Sequence, residues 1–421
     1  MSQARISRRQ FIGGAAAAAA LTIVPRHVLG GPGAKPPSEV VTQGTVGTGG
    51  QGMSHVAENK PTEPPRQLAV CDVDKRRLEN ALKKAGSPCE GYADFRRVMD
   101  RKDIDIIRIA TPPHWHALVS IAAIQAGKDV LCEKPMTRFI AEGQAVADAA
   151  RQYGRIFQIG TYGRFGSRGY RKLIASGILG TPVTVRISPK TGYNWKVKEW
   201  SGRPHLDPQP VPPELDYDMW LGPAPCKPYH PHRVHGSFRC YWDYDGGGLA
   251  DMGQHYLDGP QYFLGKDDTS PAEIEAVAPW PPHPDAVLVW GRVTLKYDDE
   301  TTLIFESGEW GEAEPGDQPF IEGPKGKVFK GDRTEPAGLM QQLAALPEPE
   351  GMVGFEEGVR MRRQPGGNAD ASHRCASLMH LANIAIRLGR KLRYDPAKQQ
   401  FINDEEANRF VNIPMRAPWH L

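Results

Sequence analysis

The sequence predicts an α/β protein, with a doubly wound parallel sheet in its N-terminal part and a second α/β domain behind it. Three observations carry this. From about residue 40 to residue 160, short apolar runs alternate with helical stretches, the pattern of a parallel sheet with crossover helices. A glycine turn, Gly47-Thr-Gly49-Gly-Gln-Gly52, opens that region. After residue 160 the rhythm becomes alternating strands separated by turn signals, which suits an antiparallel or mixed sheet.

Each element follows from local pattern. The stretch Val40 to Val46 is the candidate first strand, although it is more polar than a buried strand should be. Gln67-Leu-Ala-Val-Cys71 reads as a strand and Lys75 to Ala85 as a helix. Ile104 to Ala110 is a strand, His116 to Ala126 a helix, and Val130 to Cys132 a strand. Ile140 to Tyr153 is a helix and Ile156 to Ile159 a strand. These elements define an N-terminal domain expected over 38–160. In the domain expected over 161–421, Arg168 to Ala175 has helical spacing, and Pro182 to Ile187, Ile274 to Ala278, Val287 to Lys296 and Thr301 to Glu306 alternate as strands. His373 to Leu388 is a helix stopped by Gly389. Between them, Ser188 to Gly247 is crowded with Pro, Tyr, Trp and His, and so long a connection is usually functional.

The first 31 residues read as an export signal. Ser7-Arg8-Arg9-Gln10-Phe11-Ile12 is a twin-arginine pattern followed by an uncharged, alanine-rich run to Val24. That run is shorter than the ~20 apolar residues of a stable membrane span. The expectation is therefore a periplasmic or otherwise exported protein. Arg5, Arg8, Arg9 and Arg26, with no acid in 1–31, outweigh the whole formal charge of +3, so the remaining body offers no electrostatic case for nucleic acid. The six cysteines show no metal-ligand spacing; Cys226 and Cys240, in one loop region, are the candidate disulfide.

Chemistry concentrates at four places. Gly47, Gly49 and Gly52 match the dinucleotide fingerprint, in which glycines permit the turn, the approach of pyrophosphate and helix-on-strand packing. Asp72, 20 residues beyond Gly52 at a strand end, suits the adenosine ribose and NAD over NADP, although Lys75, Arg76 and Arg77 would suit a 2′-phosphate. Thr111, Pro112 and His116 follow one strand, and Glu133-Lys134-Pro135 the next, at the edge where open α/β sheets bind ligands. Asp251 and His255 are four residues apart, on one face of a helix starting near Asp251, with the carboxylate raising the imidazole pKa. Gly259-Pro260 should interrupt or kink that helix. Each place has a plainer alternative: a surface glycine loop, a rigid proline turn, a solvated lysine, a capping aspartate. The aromatic residues Trp195, Trp200, Trp220, Tyr241, Trp242 and Tyr244 suit stacking against sugar rings or ordinary packing. His230, His232 and His235 match no ligand spacing, and no metal is expected.

The glycine turn, Ala69-Val-Cys-Asp72, Thr111-Pro112, Glu133-Lys134-Pro135 and Asp251-x-x-x-His255, in this order, resemble the Gfo/Idh/MocA family. The resemblance implies a Rossmann domain followed by an α/β domain with a large open, mainly antiparallel sheet used for oligomer contacts, hence a homo-oligomer, dimer or tetramer. It implies Gly47, Gly49 and Gly52 at the pyrophosphate and Asp72 at the ribose. Thr111, Pro112, His116, Glu133 and Lys134 would line the nicotinamide side. His255 would take the substrate proton, Asp251 would tune it and Lys134 would hold the reacting oxygen. The implied activity is an NAD(P)-dependent oxidoreductase acting on a secondary hydroxyl or keto group of a sugar, cyclitol or glycoside. Two other readings are an NAD-dependent glycosidase using transient oxidation, elimination and water addition, and a non-catalytic sugar-binding protein.

Overall fold

The structure, a computed structural model, describes residues 40–161, 163–279, 283–311 and 315–421; the twin-arginine segment lies outside them. Six parallel strands, β1 (Gln43–Val46), β2 (Gln67–Cys71), β3 (Glu90–Tyr92), β4 (Ile106–Ile109), β5 (Asp129–Cys132) and β6 (Phe157–Ile159), form one sheet in the order β3-β2-β1-β4-β5-β6. Helices α1 (Gly50–His55), α2 (Lys75–Ala85), α3 (His116–Gln125) and α4 (Ile140–Gln152) connect them. Chain order reverses at β1, which lies between β2 and β4, so a crevice opens beyond the carboxyl ends of these strands. The register is level there. Val46 pairs with Cys71 and Ile109, Ile109 with Cys132, and Cys132 with Ile159. Gly47, Asp72, Glu133 and Gly160 therefore leave the sheet at one edge.

The polar first strand is satisfied by its neighbours. All four residues of β1 are buried. Gln43 Nε2 donates to Gln67 Oε1 at 2.6 Å, Arg108 Nε to Gln43 Oε1 at 2.8 Å, and Gln67 Nε2 to Thr45 Oγ1 at 3.1 Å. Three strands thus share one buried hydrogen-bond ladder, which removes the desolvation cost that made the strand look unsuitable.

The second sheet has nine strands, β7 (Thr184–Ile187), β8 (Glu273–Val277), β9 (Arg292–Lys296), β10 (Thr302–Glu306), β11 (Ile321–Gly323), β12 (Gly326–Val328), β13 (Thr334–Glu335), β14 (Leu392–Asp395) and β15 (Gln400–Phe401). Their order is β13-β12-β11-β7-β10-β9-β8-β14-β15. Among the described residues only the β7–β10 pairing of this sheet is parallel; the others are antiparallel. Strand β9 starts five residues later than its pattern suggests, because Val287 donates its N–H to Cys240 O and Ala286 bridges Tyr241.

Two helices tie the layers together. Helix α5 (Gly247–Phe263) begins a turn before Asp251 and passes through Pro260 without interruption. The helix is held by packing: a Cβ on Gly259 would sit 2.5 Å from Ser167 Oγ. Helix α6 (Ala369–Leu388) is capped by Asn368, whose side chain accepts the Ala371 N–H, and ends on left-handed Gly389. It packs on α4 and α5. Among the described residues no helix is long and apolar enough to cross a membrane. Cys226 and Cys240 are free thiols, not a disulfide; Cys240 is buried in an apolar cluster while Cys226 is exposed.

The long segment before α5 is ordered. Its Leu215, Trp220, Tyr229, Tyr241 and Tyr244 form a small core of their own. It also crosses the β2–α2 loop: Lys75 N–H donates to Glu214 O and Asp216 N–H to Val73 O, both at 3.0 Å.

Candidate active site

The crevice is a cavity of about 640 Å³ lined by Gly47, Gly49, Asp72, Thr111, Pro112, Glu133, Lys134, Asp251 and His255. Glycine is required at two points of the turn. Gly47 has φ +81°, and a Cβ there would lie 2.6 Å from the Thr111 nitrogen. A Cβ on Gly52 would lie 1.9 Å from the Gly47 carbonyl oxygen, so the turn closes only because both side chains are missing. At Gly49 the nearest atom is the Arg77 guanidinium, a movable group. A pyrophosphate fits such a cradle of bare backbone. Thr111 Oγ1, buried on the cavity wall without a hydrogen-bond partner among the described residues, is a ready hydroxyl for a ligand.

Asp72 follows β2 and faces the turn. Its Oδ2 accepts the Thr48 N–H at 2.8 Å and its Oδ1 the Asp74 N–H at 2.9 Å. Asp74 in turn caps α2 by accepting the Arg76 and Arg77 N–H groups. Of the three basic residues here only Arg77 lines the cavity; Arg76 pairs with Glu214. Replacing Asp72 with alanine is expected to weaken NAD binding by about 10- to 100-fold, the loss of charge-assisted hydrogen bonds, with the fold retained by circular dichroism. Unchanged affinity in a titration would put the ribose contact elsewhere.

Glu133 is buried and held from α1: His55 Nε2 lies 2.7 Å from its Oε1 and Gln51 Nε2 donates at 3.1 Å. Burial pushes its pKa up, but the His55 and Gln51 hydrogen bonds and the charges of His55 and Lys134 outweigh it and leave it below the usual value. Lys134 reaches across to α5. Its Nζ donates to the Asp251 carbonyl at 2.8 Å and to Oδ1 at 3.0 Å. Arg239 Nε donates to the same Oδ1 at 2.5 Å, and its guanidinium lies over the Trp200 and Phe238 rings. Against burial, the two cations hold Asp251 below the ordinary carboxylate range.

Two expectations are corrected here. Asp251 shares its charge with Lys134 and Arg239, and its upward pull on the His255 pKa is outweighed: burial, then the Lys134 ammonium, bring the imidazole down to about 4 against the opposing pull of Glu133 and Asp251. Proximity of a carboxylate was the right observation, but two cations already claim it. His116 does not line the cavity. It lies behind the wall, with Nδ1 2.7 Å from Pro135 O and Nε2 2.8 Å from Thr111 O, and ties together the two loops that do.

Sequence reasoning missed His55, Arg239 and Asp245. His55 lies on α1 one turn past Gly52, the only hint available. Arg239 and Asp245 sit in the long segment, where no periodicity marks a side chain as inward. Asp245 lines the cavity, and burial together with Asp251 pushes its pKa up to about 7. The aromatic residues divide: Trp220 lines the cavity with Trp115 and Phe238, while Trp195 and Tyr241 are fully buried structural side chains. Among the described residues no cluster of His, Cys, Asp or Glu is arranged to hold a metal ion.

Family models match both halves of the chain: the oxidoreductase family NAD-binding Rossmann fold over residues 41–161, and the oxidoreductase family C-terminal alpha/beta domain over residues 166–421. The chain belongs to the Gfo/Idh/MocA oxidoreductase family. As a member it carries an NAD-binding Rossmann domain on β1–β6. This Gfo/Idh/MocA chain is 34% identical over 147 residues to inositol 2-dehydrogenase of Salmonella paratyphi B, covering 34% of this chain and 44% of the relative. It is 31% identical over 125 residues to an α-N-acetylgalactosaminidase of Shewanella oneidensis, covering 28% and 27%. The chain thus matches less than half the length of these relatives. Among solved structures, its fold is similar to the WlbA dehydrogenase of Bordetella pertussis in complex with NADH and UDP-GlcNAcA (TM-score 0.55, 17% identity, 85% of this chain and 99% of that one). It is also similar to aldose-aldose oxidoreductase of Caulobacter crescentus (TM-score 0.53, 18% identity, 84% and 99%). At that identity these likenesses concern the fold.

Proposed function

We propose that this oxidoreductase transfers a hydride between a secondary hydroxyl, or the matching keto group, of a sugar, cyclitol or glycoside and NAD. The observation that carries the reading is that Lys134, Asp251 and His255 line the same cavity as the glycine turn and Asp72. NAD, when bound, supplies the hydride acceptor. Lys134 Nζ donates to the reacting oxygen and stabilises the negative charge that grows there. Asp251 orients that ammonium, and because Arg239 shares the same carboxylate, the trio keeps one net positive charge beside the oxygen. His255, neutral at working pH, accepts the hydroxyl proton. Trp115, Trp220 and Phe238 exclude water from the cavity.

NAD is the proposed form over NADP, because the Asp72 carboxylate would repel a 2′-phosphate, and of the neighbouring Lys75, Arg76 and Arg77 only Arg77 lines the cavity to attract it. The segment crossing the β2–α2 loop, with His235 and Arg239 on the cavity wall, supports a cofactor held tightly. Mass spectrometry of denatured protein for NAD(H), followed by bleaching of reduced-nicotinamide absorbance on addition of keto-sugars, tests the reading. Holoprotein inert to a broad keto-sugar panel would reduce the chain to a binding protein. The match to an α-N-acetylgalactosaminidase favours one second reading, a glycosidase working through transient oxidation; release of free aglycone without net absorbance change would select it. Export by the twin-arginine segment is likewise proposed, and retention of an Arg8→Lys, Arg9→Lys double variant in the cytoplasm tests it.

The pH profile follows from two of the shifted groups, Asp245 and His255. Asp245 ionises near 7, and its negative charge favours proton uptake in the cavity, so kcat/KM for oxidation is expected to rise with pH through about 7. His255 stays neutral down to about 4 and adds no limb above about pH 5. Asp245→Asn should therefore give a profile flat from pH 8 to about 5. A limb near 6.5 surviving in that variant would assign the proton to an unshifted histidine.

A further inference from the structure

Behind the wall of the active-site cavity lies a second cavity of about 110 Å³, between the start of α4, helix α6 and the C-terminal segment 410–415. Two arginines line it. The guanidinium carbons of Arg138 and Arg387 lie 5.7 and 5.3 Å from the centroid of one ring, that of Trp242. Arg138 Nε donates to Trp242 O at 2.6 Å and Arg387 Nη2 to Pro284 O at 2.9 Å, yet among the described residues neither guanidinium hydrogen-bonds a carboxylate.

The acids nearby are committed or close to neutral. Asp243 and Asp285 are paired with Lys227, and Asp285 also with Arg233. Glu142 accepts the backbone N–H groups of Arg138 and Phe139, and burial pushes it up to about 7; Asp245 sits at about 7 as well. Burial pulls Arg138 down to about 10 and Arg387 below its usual value, each opposed only by charges at a distance and by no carboxylate in contact. Around the same cavity Trp242 Nε1, Asn383 Nδ2, Arg387 Nη1 and both ring nitrogens of His380 are buried without a hydrogen-bond partner among the described residues. Trp242, Asn383 and His380 are all more than nine-tenths buried. His380, kept neutral by burial, offers one donor and one acceptor; two like charges facing one ring, with the Trp242, Asn383 and Arg387 donors unmet, form the complement of an anion.

We propose that this cavity binds a small oxyanion, a carboxylate or phosphate group, clamped between Arg138 and Arg387 and completed by the N–H groups of Trp242 and Asn383. The proposal stands apart from the redox reading, since it uses none of the residues assigned to it. Titration calorimetry of the purified, NAD-saturated protein with acetate, succinate and inorganic phosphate, at constant ionic strength and against chloride, tests it. At least one oxyanion is expected to bind saturably at one per chain and to raise the melting temperature; which one does so distinguishes carboxylate from phosphate. Arg387→Gln should weaken that binding about tenfold or more, the scale of a charge-assisted hydrogen bond, and Lys134→Met should leave it unchanged. If Arg387→Gln does not fold, Asn383→Leu and the wild-type titration carry the test. No saturable binding by any of the three, wild-type affinity in Arg387→Gln or, in its place, Asn383→Leu, loss of binding in Lys134→Met, or a crystal structure grown in the oxyanion that binds with only water between the arginines would overturn it.

Discussion

Replacing Lys134 with methionine is expected to lower kcat by about 10²- to 10³-fold or more, the scale of removing one donor aimed at a developing oxyanion, while NAD stays bound. The argument rests on what surrounds the ammonium. It is mostly buried, and two hydrogen bonds of the ammonium run to Asp251, so the residue bridges β5 of the Rossmann domain to α5. Methionine keeps the length and apolar stem of the side chain but removes the charge. Two consequences follow. The reacting oxygen loses its donor, and Asp251 is left to Arg239 alone. Since Lys134 is one of the groups that depress the His255 pKa, the imidazole should also titrate higher, which NMR of the ring can read. A variant with normal turnover would remove Lys134 from the chemistry.

Gly52→Ala is expected to abolish measurable NAD binding and lower the melting temperature, whereas Gly50→Ala, two residues away in the same turn, should change neither. The contrast is steric. A Cβ at 52 would lie 1.9 Å from the Gly47 carbonyl oxygen and 2.8 Å from its carbon, both backbone atoms that cannot rotate aside. A Cβ at 50 meets nothing within 4 Å. Overpacking of this kind costs about 1–3 kcal/mol where the structure can relax, and here relaxation means opening the turn that holds pyrophosphate. Equal NAD affinity for Gly52→Ala and Gly50→Ala, measured by calorimetry, would show that the turn is not the phosphate cradle.

The glycine turn and Glu133-Lys134-Pro135 were legible because their chemistry is tied to backbone position: a residue just past a parallel strand faces the crevice whatever the rest of the chain does. Arg239 and Asp245 were not legible for the opposite reason. They lie in a segment without helical or strand period, and their inward orientation comes from a small aromatic core around Trp220, Tyr241 and Tyr244. His116 misled because its position after a strand matches the pattern, while its ring is turned away to bond two carbonyls. Pro260 misled because a local rule about helices yields when both flanking surfaces are packed.

Strand–helix alternation, the glycine spacing and the acid after β2 determined, from the sequence alone, a dinucleotide-binding α/β domain and the edge of the sheet where its ligand belongs. Those features act over a few residues and depend on backbone geometry, which local sequence dictates. Which charges meet was decided only by the tertiary structure. Lys134 and Asp251 are 117 residues apart in the chain, and whether the aspartate serves a lysine, an arginine or a histidine depends on distances that folding alone sets.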